Sequence, residues 1–233
     1  MSETPGVLEH GDTFYFGCHP GIDCFTQCCQ DVNILLTPYD IVQMKNRIGI
    51  SSTEFLKQFT KTLIAPETAM PAVQFKMDEA NDKRCYFVGD QGCGVYEHRP
   101  WSCRMYPLDQ SSDGAGFAPM VDSSRCLGLN DDKAWRLQDW FEAQGLKPYN
   151  DWNKRFAALT EDPKLTTWRT EHPGAMEIFH LACYDIDRFR EVVFKENLYE
   201  MLGRDPIDLE RLRTDDFAML DFAFVWLKSV ADR

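Results

Sequence analysis

Nine cysteines stand in this 233-residue chain, and eight of them fall between Cys18 and Cys126. They form two groups. The first is Cys18-x5-Cys24-x3-Cys28-Cys29; the second is Cys85-x7-Cys93-x9-Cys103, with Cys126 trailing. A lone cysteine is more often a small buried hydrophobe than a ligand. A dense set with an adjacent pair is a chelating pattern instead, and thiolates are soft donors that select zinc, Cu(I) and iron–sulfur clusters. Eight thiols suffice for two four-coordinate sites without requiring them. Cys24 and Cys28 are four apart, so one helical turn would set them on one side. Cys28 and Cys29 point in different directions, and either serve two centres or divide into one ligand and one packing residue. Three thiols this close in sequence cannot enclose a metal without strain. At least one further ligand is therefore expected from Cys85, Cys93 or Cys103, which closes a long loop and couples metal binding to folding.

The composition removes the need for disulfides. With 44% hydrophobic residues, including 16 Phe and 6 Trp, the chain can bury a sizeable core. Its net charge is -12, and no Lys/Arg cluster is present to neutralise phosphates, so neither nucleic acid nor an anionic membrane surface is an expected partner. No basic segment followed by an apolar run opens the sequence, and the apolar stretch 217–227 is interrupted by Asp221 and too short to cross a bilayer. The expectation is a cytoplasmic protein with reduced thiols, where clustered cysteines bind metal or react rather than crosslink. The partner to expect is a protein, met through the acidic C-terminal half. No phosphate-binding loop, dinucleotide fingerprint or HExxH motif is present.

The cysteine distribution and the polar turn Asn130-Asp131-Asp132 divide the chain into a metal-binding portion, 1–130, and a helical extension, 131–233. The fold class to expect is α+β and α-rich: an irregular cysteine-rich portion with short strands, then helices. Thr37-Pro38 opens a helix that ends near Gly49, and Ser51 with Glu54 is a capping box for a second. Val73, Phe75 and Met77 alternate as in a strand. Residues 85–88 pair with that strand or follow it, ending in the turn Gly89-Asp90-Gln91-Gly92, and 117–121 is a third strand. Beyond Asp131 the pattern is helical, with Trp135, Leu137, Trp140 and Phe141 in one helix stopping at Gly145. The stretches 186–202 and 217–230 read as the longest helices. Met176, Phe179 and Cys183 share an apolar face, which makes Cys183 a core residue.

The block Cys85-Tyr-Phe-Val-Gly-Asp-Gln-Gly-Cys93-Gly-Val-Tyr-Glu-His98-Arg99-Pro100-Trp-Ser-Cys103-Arg104-Met-Tyr106-Pro107-Leu108 resembles the second signature of the YkgJ-type cysteine-cluster family, whose CxxCxxCC domain is associated with zinc or iron chelation. Cys24-x3-Cys28-Cys29, preceded by Cys18, is similar to the first signature, with five and three intervening residues in place of two and two. The resemblance covers about residues 16–127. It implies chelation by Cys18, Cys24, Cys28, Cys29, Cys85, Cys93, Cys103 and Cys126. A similar cluster in flagellin lysine N-methylases implies an enzymatic use in some relatives.

Two functions stay open: a metal-binding module or accessory protein, and a metal- or iron–sulfur-dependent enzyme such as a protein methylase. Closed sets of four thiolates favour the module, and an open coordination position favours the enzyme. Tyr86, Phe87, Tyr96, Trp101 and Tyr106 surround the second block and would shield a cluster from water, which tilts the metal toward iron–sulfur over zinc. His19 and His98 are further ligand candidates. Arg99 and Arg104 flank Cys103 and either donate to metal-bound sulfur from outside the ligand shell or form surface ion pairs.

Overall fold

The computed structural model describes residues 6–64, 70–111, 114–202 and 208–232. It is α+β and α-rich, with short strands concentrated in the N-terminal half and helices filling the C-terminal half. Two compact units emerge. One comprises Met1–Ile34 and Lys76–Tyr149; the other comprises Leu35–Phe75 and Asn150–Arg233. In sequence the units alternate, so residues 35–75 group with the helices.

The second unit is organised around the helix Asp216–Ala231, which buries Met219, Leu220, Ala223 and Leu227 completely. Helices Pro38–Ile48, Pro163–Glu171, Ala175–Tyr184 and Ile186–Lys195 pack on it. Thr37 caps the first of these through a reciprocal box with Asp40, and Gly49 ends it at φ 79, a left-handed conformation open to glycine. Ser51 and Glu54 likewise open Ser52–Phe59. Strand Pro71–Phe75 lies between Leu35–Leu36 and Thr60–Ile64, antiparallel to both.

Two helical expectations need correction. Trp135 belongs to the strand Ala134–Arg136, and the helix starts only at Leu137. The stretch 186–202 is not one helix: Ile186–Lys195 ends, Asn197 turns at φ 52, and a 3-10 segment Leu198–Leu202 follows. A left-handed residue cannot continue a right-handed helix, and Asn tolerates that conformation better than most.

The first unit is built differently. Its strands occur only as two-stranded pairs among the described residues: Thr13–Tyr15 with Ala134–Arg136, Leu108–Gln110 with Phe117–Pro119, Met77–Asp78 with Arg84–Cys85, and Val88–Gly89 with Gly92–Cys93. Its core gathers Phe14, Met105, Leu108, Leu137, Trp140 and Leu146. The cysteine-bearing loops lie outside that core, apart from Cys126, which is buried in it. No helix among the described residues is long and apolar enough to cross a membrane.

Candidate metal centre

Two backbone stitches gather the cysteines. In the first, Phe16 N–H donates to the Lys133 carbonyl and Gly17 N–H to the Gly128 carbonyl, each at 3.0 Å, extending the pairing of Thr13–Tyr15 with Ala134–Arg136. The chains approach so closely that a Cβ on Gly128 would overlap the Gly17 carbonyl, and one on Gly17 would overlap the Asp131 carboxylate. At Gly128 the obstacle is backbone, which favours glycine there; at Gly17 the Asp131 side chain would have to move aside. Cys18 is thereby brought to Cys126.

In the second stitch, Gln30 bridges Arg84, Asp31 N–H donates to the Lys83 carbonyl at 2.9 Å, and the Gln30 side chain donates to the Asp82 carbonyl at 2.9 Å. Arg84 also reaches Thr26 Oγ1 at 3.2 Å, holding the turn that carries Cys28 and Cys29. Cys85 pairs with Met77, and the hairpin through Asp90-Gln91 returns Cys93 opposite Val88. Cys103 sits on the short helix Trp101–Met105, between Pro100 and Pro107. The expected helical turn from Cys24 to Cys28 is absent. Consecutive three-residue turns run from His19 to Gln30 instead, with Cys24 at the head of one and Gln27–Cys29 as a 3-10 turn.

Each of the eight thiols lies within electrostatic reach of at least one other. Cys28 and Cys29 Sγ are 4.0 Å apart. Their hydrogen bond, with burial and the fields of Cys18 and Cys103 behind it, pushes Cys28 far up. The same bond, helped by the Arg84 guanidinium, holds Cys29 down at about 7. Cys18 is exposed as a residue. Even so, desolvation of its sulfur, with Cys126, Cys24 and Cys29 adding, pushes it up to about 11. Burial likewise raises Cys85 to about 11, with Cys29 and Cys93 nearby, and raises Cys93 beside Cys29. Burial raises Cys126 as well, with Cys24 adding.

Against that burial stand N–H and O–H groups. The Phe87 and Val95 N–H groups favour the thiolates of Cys85 and Cys93, and the Tyr106 hydroxyl with the Gly128 and Leu129 N–H groups favours that of Cys126. Donors of this kind stabilise thiolate over thiol, which is the form a metal requires.

The arginines are not surface ion pairs. Arg99 is 8% and Arg104 7% exposed. Arg104 directs its donors to the carbonyls of Arg99, Gln144 and Glu97, clamping the loop around Cys103. Arg99 donates to the Tyr96 carbonyl at 2.6 Å and stacks on the Tyr96 ring, within reach of Cys18, Cys93 and Cys103. His19 accepts from Gly21 N–H at 3.1 Å and faces Asp131, while His98 closes the turn Tyr96–His98. The proposed aromatic shield is partial: Tyr86 and Tyr96 are exposed, and Trp101 and Tyr106 pack on the core.

All nine cysteines are free thiols. Among the described residues no three Cys, His, Asp or Glu side chains are drawn in closely enough to hold an ion. Metal binding would draw deprotonated sulfurs in to bonds of about 2.3 Å. The donor set itself is all sulfur, a fit for zinc or iron.

Comparison with known families agrees with that chemistry. The model for CxxCxxCC, described as a zinc- or iron-chelating domain, matches residues 18–132. Residues 18–132 thus carry a segment similar to the CxxCxxCC domain. No curated protein and no solved structure matches the chain. All eight clustered cysteines lie inside the CxxCxxCC match, and Cys183 lies outside it. Within the matched segment, sequence reasoning missed Arg84 and the Tyr106 hydroxyl as partners of cysteine sulfur. An Arg beside Cys85 was a visible signal, but that it faces Cys29 depends on the strand bridge to Gln30.

Proposed function

We propose that Cys18, Cys24, Cys28, Cys29, Cys85, Cys93, Cys103 and Cys126 hold zinc or iron as thiolates, and that the protein acts as a cytoplasmic metal-binding or accessory module. One observation carries this reading: separate chain segments bring the cysteines into a chain of neighbours, Cys18 beside Cys24, Cys29 and Cys126, Cys28 beside Cys29 and Cys103, and Cys29 beside Cys85 and Cys93, with N–H and O–H groups that favour thiolate at three of them. A packed core has no use for that arrangement, since a buried structural cysteine needs no charge-stabilising donors. Binding would displace thiol protons and hold the two cysteine groups together.

Elemental analysis of protein purified anaerobically without chelator tests it. At least one zinc or iron per chain is expected, and less than about 0.2 would defeat it. Replacing Cys103 by Ser should lower metal content and reduce hydrogen-exchange protection over residues 22–34. The all-sulfur donor set supports the finer reading of an iron–sulfur cluster. Visible charge-transfer absorption that bleaches on reduction would carry it, and colourless zinc-loaded protein would remove it.

A further inference from the structure

We propose that Arg99 and Arg104 are the counter-charge of the loaded metal centre: metal bound by thiolates is anionic, and these two buried guanidinium groups retain it by neutralising that charge. This rests on the chelation reading and deepens it, naming what holds the metal from outside the sulfur ligands.

A buried cation is costly unless an anion faces it. In the helical unit that condition is met: Lys45 reaches Asp187 at 3.0 Å and Asp216 at 2.8 Å, and Arg190 reaches Asp187 at 2.9 Å. Arg99 and Arg104 are buried to a similar degree as Lys45. The chain carries 37 Asp and Glu residues, yet among the described residues no carboxylate pairs with either arginine. Their donors end on uncharged oxygens. Arg99 donates to the Tyr96 carbonyl at 2.6 Å and to the Gln144 side chain; Arg104 donates to the Arg99 carbonyl at 3.0 Å and to the carbonyls of Gln144 and Glu97. Tyr96 lies 3.6 Å from the Arg99 guanidinium and Tyr149 4.4 Å from that of Arg104, ring centre to carbon. These contacts satisfy N–H groups and place the side chains, but they supply no negative charge. Two cations are thus buried side by side without an anion.

Sulfur is what can supply it. Cys103 shares the short helix Trp101–Met105 with Arg104 and follows Arg99 by four residues. Burial and the Arg104 charge both act against a charged Arg99, and the groups that favour it are Tyr96, Cys103 and Cys93, with no carboxylate among them. As neutral thiols these cysteines offset nothing; as metal-bound thiolates they do. A divalent ion held by four thiolates carries about -2, which two guanidinium groups match in sign and size. The metal-free protein then buries two unmatched cations, and loading relieves them.

The test compares Arg99→Gln, which removes the charge and keeps an amide donor, with Arg99→Lys, which keeps the charge, in the full-length protein without oxygen. Affinity for zinc and for ferrous iron is read by competition with a chromophoric chelator, and stability of the metal-stripped protein by urea denaturation. Arg99→Gln should bind the ion that wild type holds about tenfold more weakly or worse, and Arg99→Lys should stay within about threefold of wild type. Without metal the order should invert: Arg99→Gln should be at least as stable as wild type, since it no longer buries an unmatched cation. A purely structural clamp would instead weaken stripped and loaded protein alike. Wild-type affinity in Arg99→Gln overturns the proposal, as does an equal loss in Arg99→Lys. So does an Arg99→Gln chain that unfolds more readily than wild type once stripped, or fails to fold at all. Each of these leaves chelation intact, whereas wild type that holds neither zinc nor ferrous iron defeats the chelation reading and this proposal with it.

Discussion

The helical unit and the cysteine unit solve the problem of stability by different means. The helical unit buries whole side chains on several faces of Asp216–Ala231 and closes its polar interior with a compact ion network. Lys45, 5% exposed, reaches Asp187 at 3.0 Å and Asp216 at 2.8 Å, and Arg190 meets Asp187 at 2.9 Å. The cysteine unit has two-stranded pairs, of the kind that are marginal alone in water, and its sulfurs sit in irregular loops. Area burial holds the first; the second also buries a core around Phe14 and Trp140, but the loops that carry most of its cysteines lie outside that core and call for a crosslink. Metal is that crosslink, in the reading proposed above.

Chelation should therefore separate the units, and with the largest effect. Stripping metal should collapse hydrogen-exchange protection over residues 18–34 and 84–104, by several kcal/mol on the scale of structural metal sites, while helix 216–231 keeps its own. Uniform loss in both units, or loss in neither, would break the comparison. Alkali should add to the difference. The thiols of Cys18 and Cys85 stand at about 11 when folded, above their ordinary 9.0. A group raised on folding stabilises the fold below its unfolded value and stops as pH rises through the folded one. Metal-free protein should loosen between pH 9 and 11, as near-ultraviolet circular dichroism would register, and metal-loaded protein should not.

The next effect runs the other way. Lys45→Met leaves Asp187 and Asp216 short of a buried partner and should destabilise the helical unit by about 3 kcal/mol in urea, with metal content unchanged. Burial acts to raise both carboxyls. At Asp187 the Ser52 N–H and Lys45 outweigh it, and at Asp216 Lys45 and Arg190 do, so both lie below the usual range. Such a carboxylate stabilises the fold above the unfolded value near 3.9 and ceases to as pH falls through its lower folded value. Acid should thus weaken the helices only below about pH 4, and the variant should lose that acid transition. A metal loss equal to wild-type unfolding would show that the two units do not depend on separate interactions.

A smaller effect belongs to the first stitch. In Gly128→Ala the new methyl meets the Gly17 carbonyl, so the backbone must part where Cys18 and Cys126 are brought together. A loss of about 2 kcal/mol confined to the cysteine unit is expected, with weaker metal retention against a competing chelator. Unchanged retention would show that this approach does not set the sulfur geometry.

What could be read in the sequence follows the same divide. Local chemistry was legible: Thr37 with Asp40, Ser51 with Glu54, Gly49 as a stop, and the hairpin at Gly89–Gly92 all act within a few residues. The cysteine groups were legible because clustering needs no tertiary information. Strand Thr60–Ile64 was not, since only its first residue is buried and no alternation marks it. The spacing of Trp135 to Leu137 and Phe141 suits a helix but is equally compatible with a strand that leads into one. The Arg84 contact to Thr26, the Gly17–Gly128 approach and the Tyr106–Cys126 bond all join residues remote in sequence. No periodicity encodes them.

Cys183 sharpens the contrast at the smallest scale. It is the one cysteine outside the CxxCxxCC segment, 1% exposed on helix Ala175–Tyr184, which also buries Ala175, Phe179 and Ala182. Burial alone pushes its thiol well up, whereas at Cys85, Cys93 and Cys126 neighbouring N–H or O–H groups oppose the effect of burial. A thiol in that setting stays protonated and behaves as a small apolar side chain. Cys183→Ala removes one sulfur from a closely packed interior and leaves a cavity smaller than a methylene pair, so the loss should be about 1 kcal/mol in urea denaturation. Metal content, measured on the same preparation, should equal that of wild type. If metal fell while the helices stayed folded, the helical unit would be contributing a ligand, and the separation between a unit held by packing and a unit held by sulfur would have to be abandoned.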